Sequence, residues 1–195
     1  MTLTVKAGDC VDPFSLVKDD LAKTNEFAIK NILQTEYKDL ENAAKYNLEL
    51  KGKNFRSAIL FLLARAFCKD HKDFLKIYDK VACLSACIEI AHNASLLQDD
   101  IIDKSDNRRS KVAAHKVYGV STSVFASDWM ISRASRMLTE VFHESTDVSQ
   151  IFSTVLYNLV FGELIQAKRD MEIAGAAIAS PLENTTQLYD ADRYF

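Results

Sequence analysis

Turn-forming residues are scarce in this chain, with five glycines and two prolines among 195 residues, where average usage would be about 7% and 5%. Sandwiches and doubly wound sheets reverse direction often and draw on those residues each time. A chain this poor in them is built from few, long elements, and its apolar residues recur at helical spacing. The expected fold is all-α, one helical domain over residues 1–195. Apolar residues make up 48% of the sequence, enough for a sizeable core. Lys and Arg number 24 against 27 Asp and Glu, a net charge of −3. That balance excludes a generally nucleic-acid-seeking surface. No uninterrupted apolar run reaches the roughly 18 residues of a membrane span, so no transmembrane segment is expected. Residues 1–9 resemble neither a secretory signal nor an Arg-rich transit peptide. Cys10, Cys68, Cys83 and Cys87 are not spaced as a disulfide scaffold; a reduced, cytoplasmic setting is the default.

Periodicity predicts helices over residues 14–34, 58–68, 78–103, 121–141 and 148–172, with another beginning at 184. Residues 69–75 read as a charged connection, 108–116 as a polar loop and 175–181 as a small-residue loop. On the helix 78–103, Val81, Leu84, Ile88, Ala91 and Ser95 share a face. Few charges interrupt it before its C-terminal end, so it is expected to be central and largely buried.

That C-terminal end carries the chemistry. Asp99 and Asp103 are one turn apart on the same helix face, and Asp100 lies about 100° round from Asp99. Stacked carboxylates repel, and negative charge is disfavoured at a helix C-terminus. A cation should compensate them. Mg²⁺ suits the site, because it takes one or two carboxylates and completes its octahedron with water and phosphate. Arg108 and Arg109 follow on a polar segment, and arginine presents a planar fork to phosphate. Upstream, Lys53 and Arg56 are spaced to face one anion together. His92 lies two turns before Asp99, where it is either a satisfied core residue or a donor to a second phosphate.

In order, Gly52-Lys53-Asn54-Phe55-Arg56, His92 to Asp103 and Asp106-Asn107-Arg108-Arg109 resemble the motifs of trans-isoprenyl diphosphate synthases, the long-chain polyprenyl diphosphate synthases above all. Asp12 to Val17, Lys116 to Gly119, Ala126 to Asp128, and Gly162, Glu163 and Gln166 extend the likeness over about residues 11–170. The resemblance implies the N-terminal part of an isoprenoid-synthase-type helical bundle, usually homodimeric and dependent on Mg²⁺. It implies head-to-tail condensation of isopentenyl diphosphate with an allylic diphosphate, serving quinone side chains such as that of ubiquinone, with a mitochondrial location as the alternative to the cytoplasm. By motif position, Asp99 and Asp103, supported by Asp100, would hold the metal and Arg108 the allylic diphosphate. Lys53, Arg56, His92 and Arg109 would bind isopentenyl diphosphate, and Gln166 would line the allylic end. Small residues at Ala94 and Ser95, where short-product relatives carry aromatics, imply a long-chain product.

Three departures stand out. Asn54 replaces an arginine and Ser57 a proline of the family's Gly-Lys-Arg-x-Arg-Pro pattern, and Ser127 stands where glycine is common. The family's second aspartate-rich motif is absent, and Asp190 and Asp192 do not replace it, since they lie on different helix faces. The sequence is therefore read as a domain truncated at its C-terminus, with an incomplete site on its own. The alternative is a non-catalytic partner subunit of a heteromeric synthase, for which the pair Cys83 and Cys87 would serve subunit pairing rather than core packing. A helical interaction protein without ligand, and a terpene cyclase, fit less well, because neither needs Lys53, Arg56 and His92.

Overall fold

The computed structural model describes residues 12–49, 52 and 54–173. The expected helix from 184, the loop 175–181, Lys53, Cys10, Asp190 and Asp192 lie outside the described residues. The fold is helical, as the scarcity of turn formers requires. Asp12 accepts a hydrogen bond from Phe14 N at 3.1 Å and opens a 3-10 turn, Pro13–Val17. It leads into α1 (Lys18–Phe27), which widens into a π turn over Ala28–Ile32. The stretch 14–34 is thus three helical segments rather than one. Next come α2 (Lys38–Leu48), α3 (Phe55–Phe67) and α4 (His71–Ile102). A two-stranded hairpin follows, β1 (Asn107–Arg108) with β2 (Lys111–Val112), then α5 (Ala114–Tyr118), α6 (Val120–Val141) and α7 (Asp147–Ile173).

The central helix α4 is longer than its apolar pattern indicates. Asp70 caps it by accepting Asp73 N at 3.0 Å, so the charged residues 71–75 form its first turn instead of a connection. Its deepest face also differs from expectation. Cys83, Ala86, Cys87, Ile90, Ala94 and Leu97 are buried, whereas Leu84, Ile88 and Ser95 are only half-buried. These small side chains let α6 approach closely through Ala126, Met130 and Ala134. Cys87 Sγ lies 3.5 Å from Ala134 O, and Gln98 donates to Ser127 Oγ at 2.8 Å, which fixes the two helices antiparallel. Both cysteines are free and buried, as small core hydrophobes are. A second cluster joins Val17, Ala58, Phe61, Phe74, Val81 and Ala82 between the N-terminal turn, α3 and the start of α4. A half-exposed Arg65 reaches the buried Asp20 at 2.5 Å beside it.

The chain divides into two compact units after Ser153, and α7 runs through the division. In the second unit, Val155, Tyr157, Val160, Leu164 and Ile165 are exposed. By length and composition alone α7 could cross a membrane, since an 18-residue window within residues 147–169 has a mean hydropathy of 1.3. The expectation from uninterrupted runs missed it because isolated polar residues break the run without lowering the average much. Core helices of soluble proteins pass the same test, so this assigns no membrane location.

Candidate functional site

Helix α4 presents the aspartates as their spacing requires. Asp99 is partly exposed, Asp100 is buried, and Asp103 is exposed at the helix C-cap. The helix stops because Lys104 turns left-handed (φ 54°) and Ser105 N bonds Asp100 O at 2.9 Å. The chain then reverses in the hairpin, and Arg108 returns over the helix end. Its Nη2 lies 3.1 Å from Asp99 Oδ2 and 2.9 Å from Asp100 Oδ1, and its Nε donates to Asp100 Oδ2 at 3.1 Å. In this structure Arg108 is thus the cation that compensates Asp99 and Asp100.

The two-residue hairpin tip is Arg109 (φ 48°) and Ser110 (φ 65°). A right-twisted hairpin needs positive φ at both tip positions, which asparagine and glycine accept readily and other residues resist. Ser110→Gly is therefore expected to stabilise the protein by about 0.5–1 kcal/mol, and to raise Tm by roughly 2–3 °C in thermal unfolding.

The second half of the site is a cavity of about 410 Å³ lined by Gly52, Arg56, Glu89, His92, Asn93 and Arg109 among others. Arg56 sits in the first turn of α3, His92 and Glu89 share a face of α4, and Arg109 comes from the hairpin tip. Burial, and then the guanidinium groups of Arg56, Arg109 and Arg108, push the His92 pKa down to about 4. His92 is therefore neutral in the free protein and able to donate one N–H. Gly52 serves by close approach: a Cβ there would stand 2.6 Å from Arg109 Nη1 and 3.3 Å from its Cζ. Alanine at 52 must push the guanidinium aside, so Gly52→Ala should weaken inorganic diphosphate binding about threefold to tenfold with little change in Tm, as calorimetry and thermal unfolding would measure.

Sequence reasoning missed Glu89. It is buried, and its Oε1 accepts Ser57 Oγ at 3.0 Å and Ser57 N at 3.3 Å. Its sequence signal is an acid one turn before His92 on an otherwise apolar face. The structure brings Arg56, His92 and Arg109 around one cavity, with Arg108 bridging toward Asp99 and Asp100. It buries Ala94 completely and leaves Ser95 half-buried, with Ser95 Oγ donating to His92 O at 2.8 Å. Gln166 is exposed on α7, in the second unit.

Among the described residues no three His, Cys, Asp or Glu side chains already converge on a metal position. The donor set nevertheless fits Mg²⁺. Asp99 and Asp103 offer hard oxygens from one face, Asp99 Oδ2 already draws a cationic partner, and this ion needs only one or two protein carboxylates.

The sequence profile of the polyprenyl synthetases matches residues 37–185. The chain belongs to the polyprenyl synthetase family. It is 34% identical over 152 residues to chloroplastic solanesyl-diphosphate synthase 2 of Oryza sativa, covering 78% of this chain and 37% of that protein. It is 34% identical over 155 residues to human all-trans-polyprenyl-diphosphate synthase PDSS1, covering 80% and 37%. A crystal structure of a polyprenyl synthase from Caulobacter crescentus, complexed with calcium and isoprenyl diphosphate, superimposes with a TM-score of 0.69 at 28% identity, covering 84% of this chain and 47% of that one. As a family member the chain is a prenyltransferase relative with the all-α isoprenoid synthase fold. It spans less than two fifths of the length of the curated relatives named here.

Proposed function

We propose that this chain forms the first half of the active site of a long-chain trans-polyprenyl diphosphate synthase, condensing isopentenyl diphosphate head to tail with an allylic diphosphate. The observation that carries this reading is the pairing of Asp99, Asp100 and Arg108 with a cavity holding Arg56, His92 and Arg109. An acidic cation site thereby adjoins a cationic anion site. Asp99 and Asp103 would hold Mg²⁺, which supplies charge neutralisation at a departing diphosphate. Arg108 stabilises the same leaving group with a fixed guanidinium. Arg56, Arg109 and His92, together with Lys53, anchor isopentenyl diphosphate so that its double bond lies against the allylic carbon. Asp100 keeps Arg108 in place. The small, half-buried side chain of Ser95 leaves room for a long product, whereas Ala94 is fully buried.

A homodimer would bury the apolar side chains that α7 exposes. Location is cytoplasmic or mitochondrial, and quinone side chains such as that of ubiquinone are the expected use. A second reading is a non-catalytic subunit that pairs with a complete synthase. The test is incubation with labelled isopentenyl diphosphate, an allylic diphosphate and Mg²⁺, alone and beside a complete synthase. Mg²⁺-dependent binding of both diphosphates to the protein alone, with no effect on the complete synthase's product, supports the first reading. Mg²⁺-dependent diphosphate binding that yields product, or alters its length, only with the complete synthase supports the second. Absence of any diphosphate binding defeats both.

A further inference from the structure

The hairpin that carries Arg109 is only two residue pairs long, Asn107 with Val112 and Arg108 with Lys111. A hairpin this short does not hold its shape alone and needs anchors outside itself. On β1 the anchor is Arg108, through its contacts with Asp99 and Asp100. On β2 it is Tyr46, in the last turn of α2. Tyr46 Oη donates to Val112 O at 2.8 Å, and the Lys111 ammonium lies 5.7 Å from the centre of its ring. Tyr118 of α5 braces that ring edge-on, with the ring centres 5.6 Å apart. Between the two anchored strands stand Arg109 and Ser110, both at positive φ. Residues with side chains resist that region, so a tip released on one strand relaxes and carries Arg109 with it. Arg109 has little room to move without consequence, because a Cβ on Gly52 would stand 2.6 Å from its Nη1. Leu48, the last residue of α2, and Gly52, four positions on, both line the cavity that Arg109 enters. One helix end thus fixes the strand behind Arg109 and adjoins the wall against which Arg109 lies.

Resting on the reading above for what the cavity binds, we propose that Tyr46 is a positioning residue that holds Arg109 in the anion cavity, through the bond from its hydroxyl to Val112 O. Its effect on a ligand runs through Arg109 and not through contact. Loss of the hydroxyl therefore acts on whatever Arg109 acts on: the field at His92 in the free protein, and the affinity for a diphosphate.

Two measurements on the full chain test this, and the first needs no ligand. NMR follows the His92 ring as pH is lowered, with His92→Asn identifying its signal. Arg109 is one of the charges that oppose protonation of that ring, so its displacement reads as an upward move of the midpoint. The second is calorimetry with inorganic diphosphate and Mg²⁺. Tyr46→Phe deletes the hydroxyl and keeps the ring. We expect it to raise the His92 midpoint by about half a pH unit and to weaken diphosphate binding about threefold to tenfold. Arg109→Gln should do at least as much, and adding Tyr46→Phe to Arg109→Gln should change neither reading further. Arg133→Gln removes a bond of the same 2.8 Å length, from Arg133 Nε to Ile32 O, and should leave both readings as in wild type. An unmoved His92 midpoint in Tyr46→Phe, or a Tyr46→Phe effect as large without Arg109 as with it, overturns the inference and leaves the proposed function standing. A midpoint that moves as expected in a protein whose wild type binds no diphosphate upholds the positioning role and overturns the anion reading.

Discussion

Replacing Glu89 with alanine is expected to destabilise the protein by about 2–4 kcal/mol, lowering Tm by roughly 5–15 °C. The reason is the start of α3. Its N-cap residue Asn54 is left-handed (φ 45°) and makes no side-chain cap, so the helix opens with its first N–H groups uncovered. Glu89 reaches across from α4 and takes the N–H of Ser57 at 3.3 Å and its hydroxyl at 3.0 Å. An acceptor at that point also meets the positive end of the helix dipole. Both Ser57 and Glu89 are buried, so truncation strands two donors where water does not replace the acceptor. Glu89→Gln keeps an acceptor oxygen and should cost less than half as much. The effect should extend beyond stability, because the same first turn carries Arg56. Diphosphate affinity is expected to fall in Glu89→Ala and to recover largely in Glu89→Gln. Equal loss in both variants would mean that this contact does not position Arg56. The proline that the family's pattern places at 57 has no N–H to give, so in this chain a hydrogen bond between helices takes over the anchoring of that turn.

Periodicity and spacing made the helical architecture legible, and they placed Asp99, Asp103 and the arginines that follow them. Local rules fix such features: a helix with i and i+4 acids has only one geometry. What they did not reach depended on contacts distant in sequence or on residues without a local preference. Glu89 and Ser57 are 32 positions apart, and nothing in either neighbourhood announces the pairing. Helix α2 buries Glu41, Ala43, Ala44, Asn47 and Leu48, a face too small and polar to read as an apolar stripe. The hairpin was read as a loop because Arg109 and Ser110 are poor tip residues, yet both stand at positive φ against their preference. Arg108 was assigned to phosphate by residue type and by motif position. Only the fold shows that in the free protein it is held by Asp99 and Asp100.

The pH dependence of the protein should run in two opposite directions, both through His92. In the free protein burial and the charges of Arg56, Arg109 and Arg108 hold its pKa at about 4, against 6.5 for an unhindered imidazole. Above pH 6.5 the ring is neutral folded or unfolded, and contributes nothing to the balance. As pH falls from 6.5 toward 4 the unfolded chain takes up a proton that the folded site refuses, so stability falls across that window. Full transfer would be worth about 1.4 kcal/mol per pH unit; for a half-buried ring, solvent screening leaves a total loss of about 1–2 kcal/mol. A bound diphosphate reverses the local field, because its charge offsets the three guanidinium groups and favours an imidazolium that donates to a phosphate oxygen. Its affinity should therefore rise over the same interval in which the free fold weakens, and binding at pH 6 should take up roughly half a proton to one. Calorimetry in buffers of different ionisation enthalpy reads that uptake, and His92→Asn provides the reference that subtracts the diphosphate's own protonation. Equal proton uptake in wild type and His92→Asn would remove His92 from the anion site. A stability profile flat from pH 6.5 to 4.5 in wild type would show that neither burial nor the arginines keep the ring from taking up a proton.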